Sequence, residues 1–210
     1  MNYRDKFAGL LPQEISYDKH GIIIRDEWFK SDNPRMSFIS ALKEFEGSEN
    51  NHFKFKAGAY IQEDTHVGEN VRIGLNCTIG GAGFGYEPDE NNNLTRMPHL
   101  SNVVIQDNVT IHNNVNIDRG VLSPTVIGKG TKIDSLSHIA HGVTIGKNCA
   151  IIGAGIGGSA IIGDCCYIGF RSVIKQKIRI GHNAKIGMGA IILKDVPDNY
   201  PDWIVGIWKG

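Results

Sequence analysis

No stretch of about 18 apolar residues occurs anywhere in the chain, so no segment reads as a membrane-spanning helix. The opening Met-Asn-Tyr-Arg-Asp-Lys carries charge where a secretory signal keeps its apolar core, and the expectation is a cytoplasmic protein. A charge excess is missing as well. Lys plus Arg and Asp plus Glu both number 22, which gives no support for a nucleic-acid surface or for attraction to an anionic membrane. Proline is scarce, at 7 residues. Four cysteines, at 77, 149, 165 and 166, show neither C-x-x-C metal spacing nor the density of a disulfide scaffold. What the chain has in plenty is glycine, 26 in 210 residues, about twice the usual frequency of roughly 7%. A chain so rich in glycine without a low-complexity tract must turn often.

The first fifty-odd residues differ from the rest of the chain. Gly21-Ile22-Ile23-Ile24 suits a short buried strand. Residues 31–47 carry helix signals, with Asn33 as N-cap, Pro34 at the first helical position and Gly47 as a stop. Ile39, Leu42 and Phe45 then give that helix one apolar face. Residues 1–56 read as a small α/β appendage, with 47–51 as its linker.

From Ile61 onward the apolar pattern steps by six. An aliphatic residue stands at 61, 67, 73 and 79, at 105, 111 and 117, at 127, 133, 139, 145 and 151, and at 156, 162, 168, 174, 180, 186 and 192. Four residues after each comes a small or branched one, such as Val71, Cys77, Val109, Thr131, Ser137, Cys149, Cys166 or Ala190. Such internal repetition decides the architecture before any local propensity does. Neither a helix nor a meander has a six-residue step, whereas a solenoid does. Each hexad supplies a short strand and a turn, the aliphatic and the i+4 residue point inward, and three hexads close a triangular coil. Nineteen hexads make about six coils, roughly 30 Å of prism at an inter-strand spacing of about 4.8 Å. Cys77, Cys149 and Cys166 fall on the inward position as small core residues, without a redox or metal role.

The repeat is expected over 57–197, followed by a tail at 198–210. Its breaks are informative. A long insertion at about 81–104 leaves the coil, and loops of that length in compact folds are usually functional. Four extra residues fall around Ser123-Pro124, and one residue is missing between Ile151 and Ile156. That deletion makes Gly158 the residue one full coil above His141.

The segments IGGAGFGYEPDE, VVIQDNVTIHNNVNIDRG, TVIGKGTKIDSLSHIAHGVTIG and GGSAIIG resemble the hexapeptide-repeat acyltransferases, and within them the UDP-3-O-acylglucosamine N-acyltransferases of lipid A biosynthesis. The resemblance covers about two-thirds of the chain and reproduces both insertions. It implies an all-β solenoid coiled as a left-handed parallel β-helix, an exception to the usual crossover hand. It also implies a homotrimer with each site in the cleft between two subunits. That family has a larger N-terminal domain that holds uridine and a C-terminal helical extension associated with acyl carrier protein. Here 1–56 is shorter, the sequence ends PDNYPDWIVGIWKG, and the family's second histidine falls on Lys177.

Acyl transfer from a thioester to an amine needs a base for the amine proton and a donor for the tetrahedral oxyanion. By matching the resembled motif, His141 is the base, Asp134 its acidic partner, and the Gly158 N–H the oxyanion donor. His138, Phe84, Tyr86 and Lys177 are the expected substrate contacts, the first three because the turn and the 81–104 loop would reach over the sugar. Taken without the resemblance, His141 and Asp134 also fit solvated turn residues, Gly158 fits turn geometry, and Lys177 fits a solvated side chain.

The leading expectation is N-acylation of a dTDP- or UDP-linked amino sugar for lipopolysaccharide, O-antigen or another surface polysaccharide. Acyl-CoA is the expected cosubstrate, and no cofactor is bound permanently. Transfer onto UDP-3-O-acylglucosamine from acyl carrier protein is the second reading. A more distant one is a trimeric zinc hydratase of the γ-carbonic anhydrase type, using His112, His138 and His141. No metal is expected on the main reading.

Overall fold

A computed structural model describes residues 15–17, 21–24, 27–30, 32–36, 39 and 58–210. The chain divides into two compact units, Met1–Phe53 and Lys54–Gly210. In the first, Ile15–Tyr17, Gly21–Ile24 and Glu27–Lys30 form a three-stranded antiparallel sheet in chain order. A helical turn at 34–36 follows, and the Asn33 Oδ1 accepts the Met36 N–H at 3.2 Å, the geometry of an N-cap. The remainder of the helix expected over 31–47, and the linker at 47–51, lie outside the described residues.

The second unit is a three-sided parallel solenoid. The chain visits its three sheets in rotation, and they hold six, seven and eight strands. Most strands are two residues long, one residue facing out and one isoleucine facing in. Stacked isoleucines pair directly: Ile73 with Ile111, Ile111 with Ile133, Ile133 with Ile151, and Ile151 with Ile168. From Ile73 to Ile192 the inward isoleucines are at most 2% exposed, apart from Ile178 at 8%. A β-branched side chain suits this half-buried, pleated column.

The i+4 positions, one at each corner of a coil, are buried and small or branched, as at Cys77, Val109, Thr131 and Ala160. Where they are polar, they are satisfied within the wall. Thr131 Oγ1 donates to the Gly146 carbonyl at 2.8 Å, and Ser137 Oγ to Asp134 O at 2.7 Å. The thiols of Cys77, Cys149 and Cys166 point at the carbonyls of His112, Gly163 and Gly181. All four cysteines are free thiols, and burial pushes the Cys77 thiol up. Many corners place a residue in the left-handed region, and asparagine fills it at 70, 76, 108, 114, 148 and 183. Asparagine tolerates that conformation better than most side chains.

The prism is longer than the hexads suggest. Trp203–Ile204 continues the second sheet and Ile207–Trp208 the third, while Val196 bridges to Ile180 in the first. Residues 196–208 therefore add a coil where a tail was expected. Val196 and Ile204 are buried, and the Trp208 indole N–H donates to the Asp195 carbonyl at 3.1 Å. Eight strands in the third sheet span about 34 Å at the parallel inter-strand spacing. Among the described residues, no helix is long and apolar enough to cross a membrane.

Each coil of a solenoid touches only its neighbours, so a hole in one coil is felt directly. Replacing Ile151, fully buried in the second sheet, with alanine is expected to lower stability by about 2–5 kcal/mol. Urea unfolding of Ile151→Ala against the parent protein measures this.

Candidate active site

One edge of the prism carries the unusual features, one coil after another. The corner leaving the third sheet gives rise to the long insertion after Thr78–Ala82 and to the short one after Asn116–Arg119. On the next coil the same corner holds His141 after His138–Ile139, then Gly158 after Gly155–Ile156, then Lys177 after Val173–Ile174. Register makes this alignment: His138 pairs with Asn116 below and Gly155 above, and Ile156 with Ile174. The corner is laced by backbone hydrogen bonds. The Ser159 N–H donates to the His141 carbonyl at 2.8 Å, and the Lys177 N–H to the Gly158 carbonyl at 2.9 Å.

Gly158 stands over the imidazole. A Cβ built there would lie 2.6 Å from His141 Nε2 and 2.7 Å from Cε1, so only glycine leaves the ring its place. The Gly158 N–H makes no hydrogen bond among the described residues. The turn beneath is fixed by Thr125, which is fully buried. Its hydroxyl donates to the Asp118 carbonyl at 2.6 Å and accepts the Gly142 N–H at 2.8 Å.

Asp118 is the carboxylate that faces this group. Its side chain is 8% exposed, and its Oδ2 lies 3.8 Å from His138 Nε2. Asn116 Nδ2 donates to Asp118 Oδ1 at 2.7 Å and lies 3.1 Å from His138 Nδ1. An amide can only donate there, which puts the His138 proton on Nε2, toward Asp118. Burial pushes the Asp118 carboxyl up, against the Asn116 hydrogen bond and the fields of His138, His141 and His99. His141 is shifted down from the ordinary histidine value, first by desolvation, then by His99 and Lys177, with Asp118 opposing.

Of the residues singled out in the sequence, His141, Gly158, His138 and Lys177 meet at this edge. Asp134 does not join them within the chain. It follows Lys132–Ile133 in the second sheet, and its carboxylate lies 3.5 Å from His112 Nδ1, the residue one coil below on that other edge. One hexad along the chain is one whole face of the prism, so an acid seven residues before His141 is carried to the previous corner. His112 and Asp134 are about half exposed, and such a pair adds little stability. Phe84 and Tyr86 lie on the insertion with ring centroids 4.9 Å apart, Phe84 being 85% exposed. Gly83, just before them, touches the site: a Cβ there would come within 3.0 Å of His141 Cβ.

Two groups at this edge escape a sequence reading. Asp118 had a visible signal, a carboxylate directly after an inward isoleucine where many hexads place glycine. His99 had none: it sits in a polar insertion yet is 2% exposed, its ring edge-on to His141 with centroids 5.0 Å apart. Among the described residues, no group of three or more His, Cys, Asp or Glu is placed to hold a metal ion.

Residues 124–151 match the bacterial transferase hexapeptide family (six repeats), and residues 65–83 and 159–194 match the hexapeptide repeat of succinyl-transferase. The chain is a hexapeptide-repeat solenoid. It is 41% identical over 132 residues to UDP-3-O-acylglucosamine N-acyltransferase of Caulobacter sp. (strain K31), covering 62% of this chain and 38% of that one. Against the enzyme of the same name from Methylorubrum extorquens (strain PA1) it is 39% identical over 144 residues, covering 67% of this chain and 40% of that one. The solenoid thus spans about two-fifths of the curated relatives it matches. Among solved structures it is similar to LpxA from Acinetobacter baumannii, with a TM-score of 0.52, 22% identity and 69% of each chain covered. That likeness shows the fold, a left-handed parallel β-helix.

The His141 shift has a defined sign. A histidine held below its unfolded value of about 6.5 takes up its proton later than the unfolded chain does. The stability it contributes is full above that value and is lost as pH falls through the folded one. Titration of the His141 ring by NMR is expected to show a midpoint below that of a free histidine, and replacement by glutamine is expected to flatten the stability loss in the same window.

Proposed function

We propose that the solenoid transfers an acyl group from a thioester to the amino group of a nucleotide-linked amino sugar. The observation that carries this reading is an imidazole packed against the bare Cα of Gly158, whose N–H makes no hydrogen bond among the described residues, at one prism edge. His141 takes the proton as the amine attacks the thioester carbonyl. The tetrahedral oxyanion that forms is stabilised by the N–H of Gly158, a buried residue, where such a donor counts for more than in water. Collapse breaks the carbon–sulfur bond, the imidazolium returns the proton to the departing thiolate, and amide and thiol result. Asp118, buried and negative, favours the imidazolium through its field, and Asn116 and His138 hold its orientation.

The relatives' names favour UDP-3-O-acylglucosamine as acceptor over the broader set of dTDP- and UDP-linked sugars that the sequence put first. A lipid A type step is thus the preferred substrate reading. The donor is a pantetheine thioester, carried by CoA or by acyl carrier protein. Phe84 and Tyr86, exposed on the insertion, are proposed to cover the acceptor, and Lys177 to meet a phosphate. A homotrimer fits the outward apolar residues Ile161, Tyr167, Phe170 and Val173, each between about two-fifths and one-half exposed on the single chain.

The purified protein assayed with both thioesters against UDP-3-O-acylglucosamine and other UDP- and dTDP-amino sugars tests the reaction and the substrate together. Transfer to none of them would refute it. Replacing His141 with alanine is expected to lower kcat by about 10²–10⁴-fold with the fold intact. Asp118→Asn, which keeps shape and removes charge, is expected to cost less and to narrow the pH range of activity.

A further inference from the structure

The insertion buries a histidine that the transfer chemistry above does not use. His99 is 2% exposed, and its Nδ1 lies 3.0 Å from the Met97 carbonyl. A carbonyl only accepts, so Nδ1 carries the proton and Nε2 is left as a lone pair. That nitrogen is buried and has no hydrogen-bond partner among the described residues. An unsatisfied buried acceptor costs stability, so its retention calls for a reason. The ring's surroundings give one. Gly83 closes over both histidines: a Cβ there would come within 2.8 Å of His99 Nε2 and 3.2 Å of His141 Cδ2. The two rings meet at an interplanar angle of 73°. Behind His99, the insertion is pinned to the short insertion of the next coil. The Leu100 N–H donates to the Val121 carbonyl at 2.9 Å, and the Ser101 N–H to the Gly120 carbonyl at 3.1 Å.

We propose that His99 is the positioning residue of His141, an imidazole delivered by the insertion and wedged against the base so that its ring is held beneath Gly158. This rests on His141 acting as the base. The flat ring, edge-on to His141 and closed over by Gly83, sets the plane of the wedge, and the hydrogen bond to Met97 adds to it; an aliphatic side chain of similar size would leave that plane free to turn. A fixed wedge bars the half-turn of the His141 ring that would exchange its nitrogen under Gly158 for carbon. Among the groups facing His141, Asp118 favours the imidazolium, while Lys177 and any charge on His99 oppose it; His138 is engaged with Asp118 and Asn116.

The test follows the His141 ring nitrogens by long-range ¹H–¹⁵N NMR in the full chain, for the parent protein and for His99→Phe, His99→Leu and His99→Ala, with kcat and KM measured alongside. In His99→Phe the aromatic edge remains, so the His141 nitrogen shifts are expected to match the parent's and kcat to stay within about 3-fold of it. His99→Leu fills the space without a fixed plane. It is expected to average the His141 nitrogen environments and to lower kcat on the order of 10-fold at unchanged KM. His99→Ala should do the same or more, and His99→Leu stands in for it if the alanine variant does not fold. Parent-like nitrogen shifts and kcat in both His99→Leu and His99→Ala would overturn the proposal. So would an equal loss in His99→Phe, which would assign the role to the imidazole nitrogen. If the parent protein transfers to no acceptor, the function proposed above fails, while the nitrogen spectra still decide whether His99 holds His141.

Discussion

Everything in the solenoid depends on the parallel ladder between successive coils. Each outward residue donates its N–H to a carbonyl one coil away, as His138 does to Ala154 at 2.9 Å and Ala140 to Ile156 at 3.0 Å. The ladder tolerates long excursions at a corner provided that the inward isoleucines resume their places. Val67 pairs with Ile105 across the long insertion, Ile105 with Ile127 across the short one, and Ile139 with Ile156 across the deletion. The core stays in register while the corners vary, which is the condition for building a site on a repeat.

That condition explains why one edge holds the chemistry. Both insertions leave the corner after the third sheet, on the two coils before the one that bears His141. The longer insertion folds back to place His99 and Gly83 against His141, and the shorter one anchors the return. Above, the loss of one residue between Ile151 and Ile156 brings Gly158 into line. Two of the polar groups at this edge, Asp118 and His99, are among the few buried polar side chains of the described residues. Elsewhere the buried hydroxyls of Thr131, Ser137 and Ser172 are absorbed by turn carbonyls, and Thr131 also accepts the Cys149 N–H at 3.1 Å.

The solenoid was legible in the sequence because every inward position obeys the same step. The vertical alignment of His141 with Gly158 followed from counting hexads. The last coil was not legible: from Val196 to Ile204 is eight residues and from Ile204 to Trp208 four, since Pro197 and Pro201 lengthen one corner and the next is cut short. Within one chain Asp134 stays apart from His141 because closeness along a coil is distance in space: seven residues cross a face, whereas 22 residues bring Asp118 and Ala140 to neighbouring levels. His99 lay beyond reach for another reason. Its burial is produced by the return of the insertion onto the prism, which no local pattern records.

The central claim is that coil stacking sets the imidazole of His141 beneath the bare backbone of Gly158. Gly158 does not occupy the left-handed region, so alanine is compatible with its backbone, and the ring of His141 is what an added methyl group would meet. The most direct measurement is the acyl-transfer rate of Gly158→Ala, compared with the parent protein at matched thermal stability. The account predicts a loss of about 10²-fold, the usual consequence of displacing a catalytic group by about 1 Å. A variant that folds normally and transfers at the parent rate would contradict it.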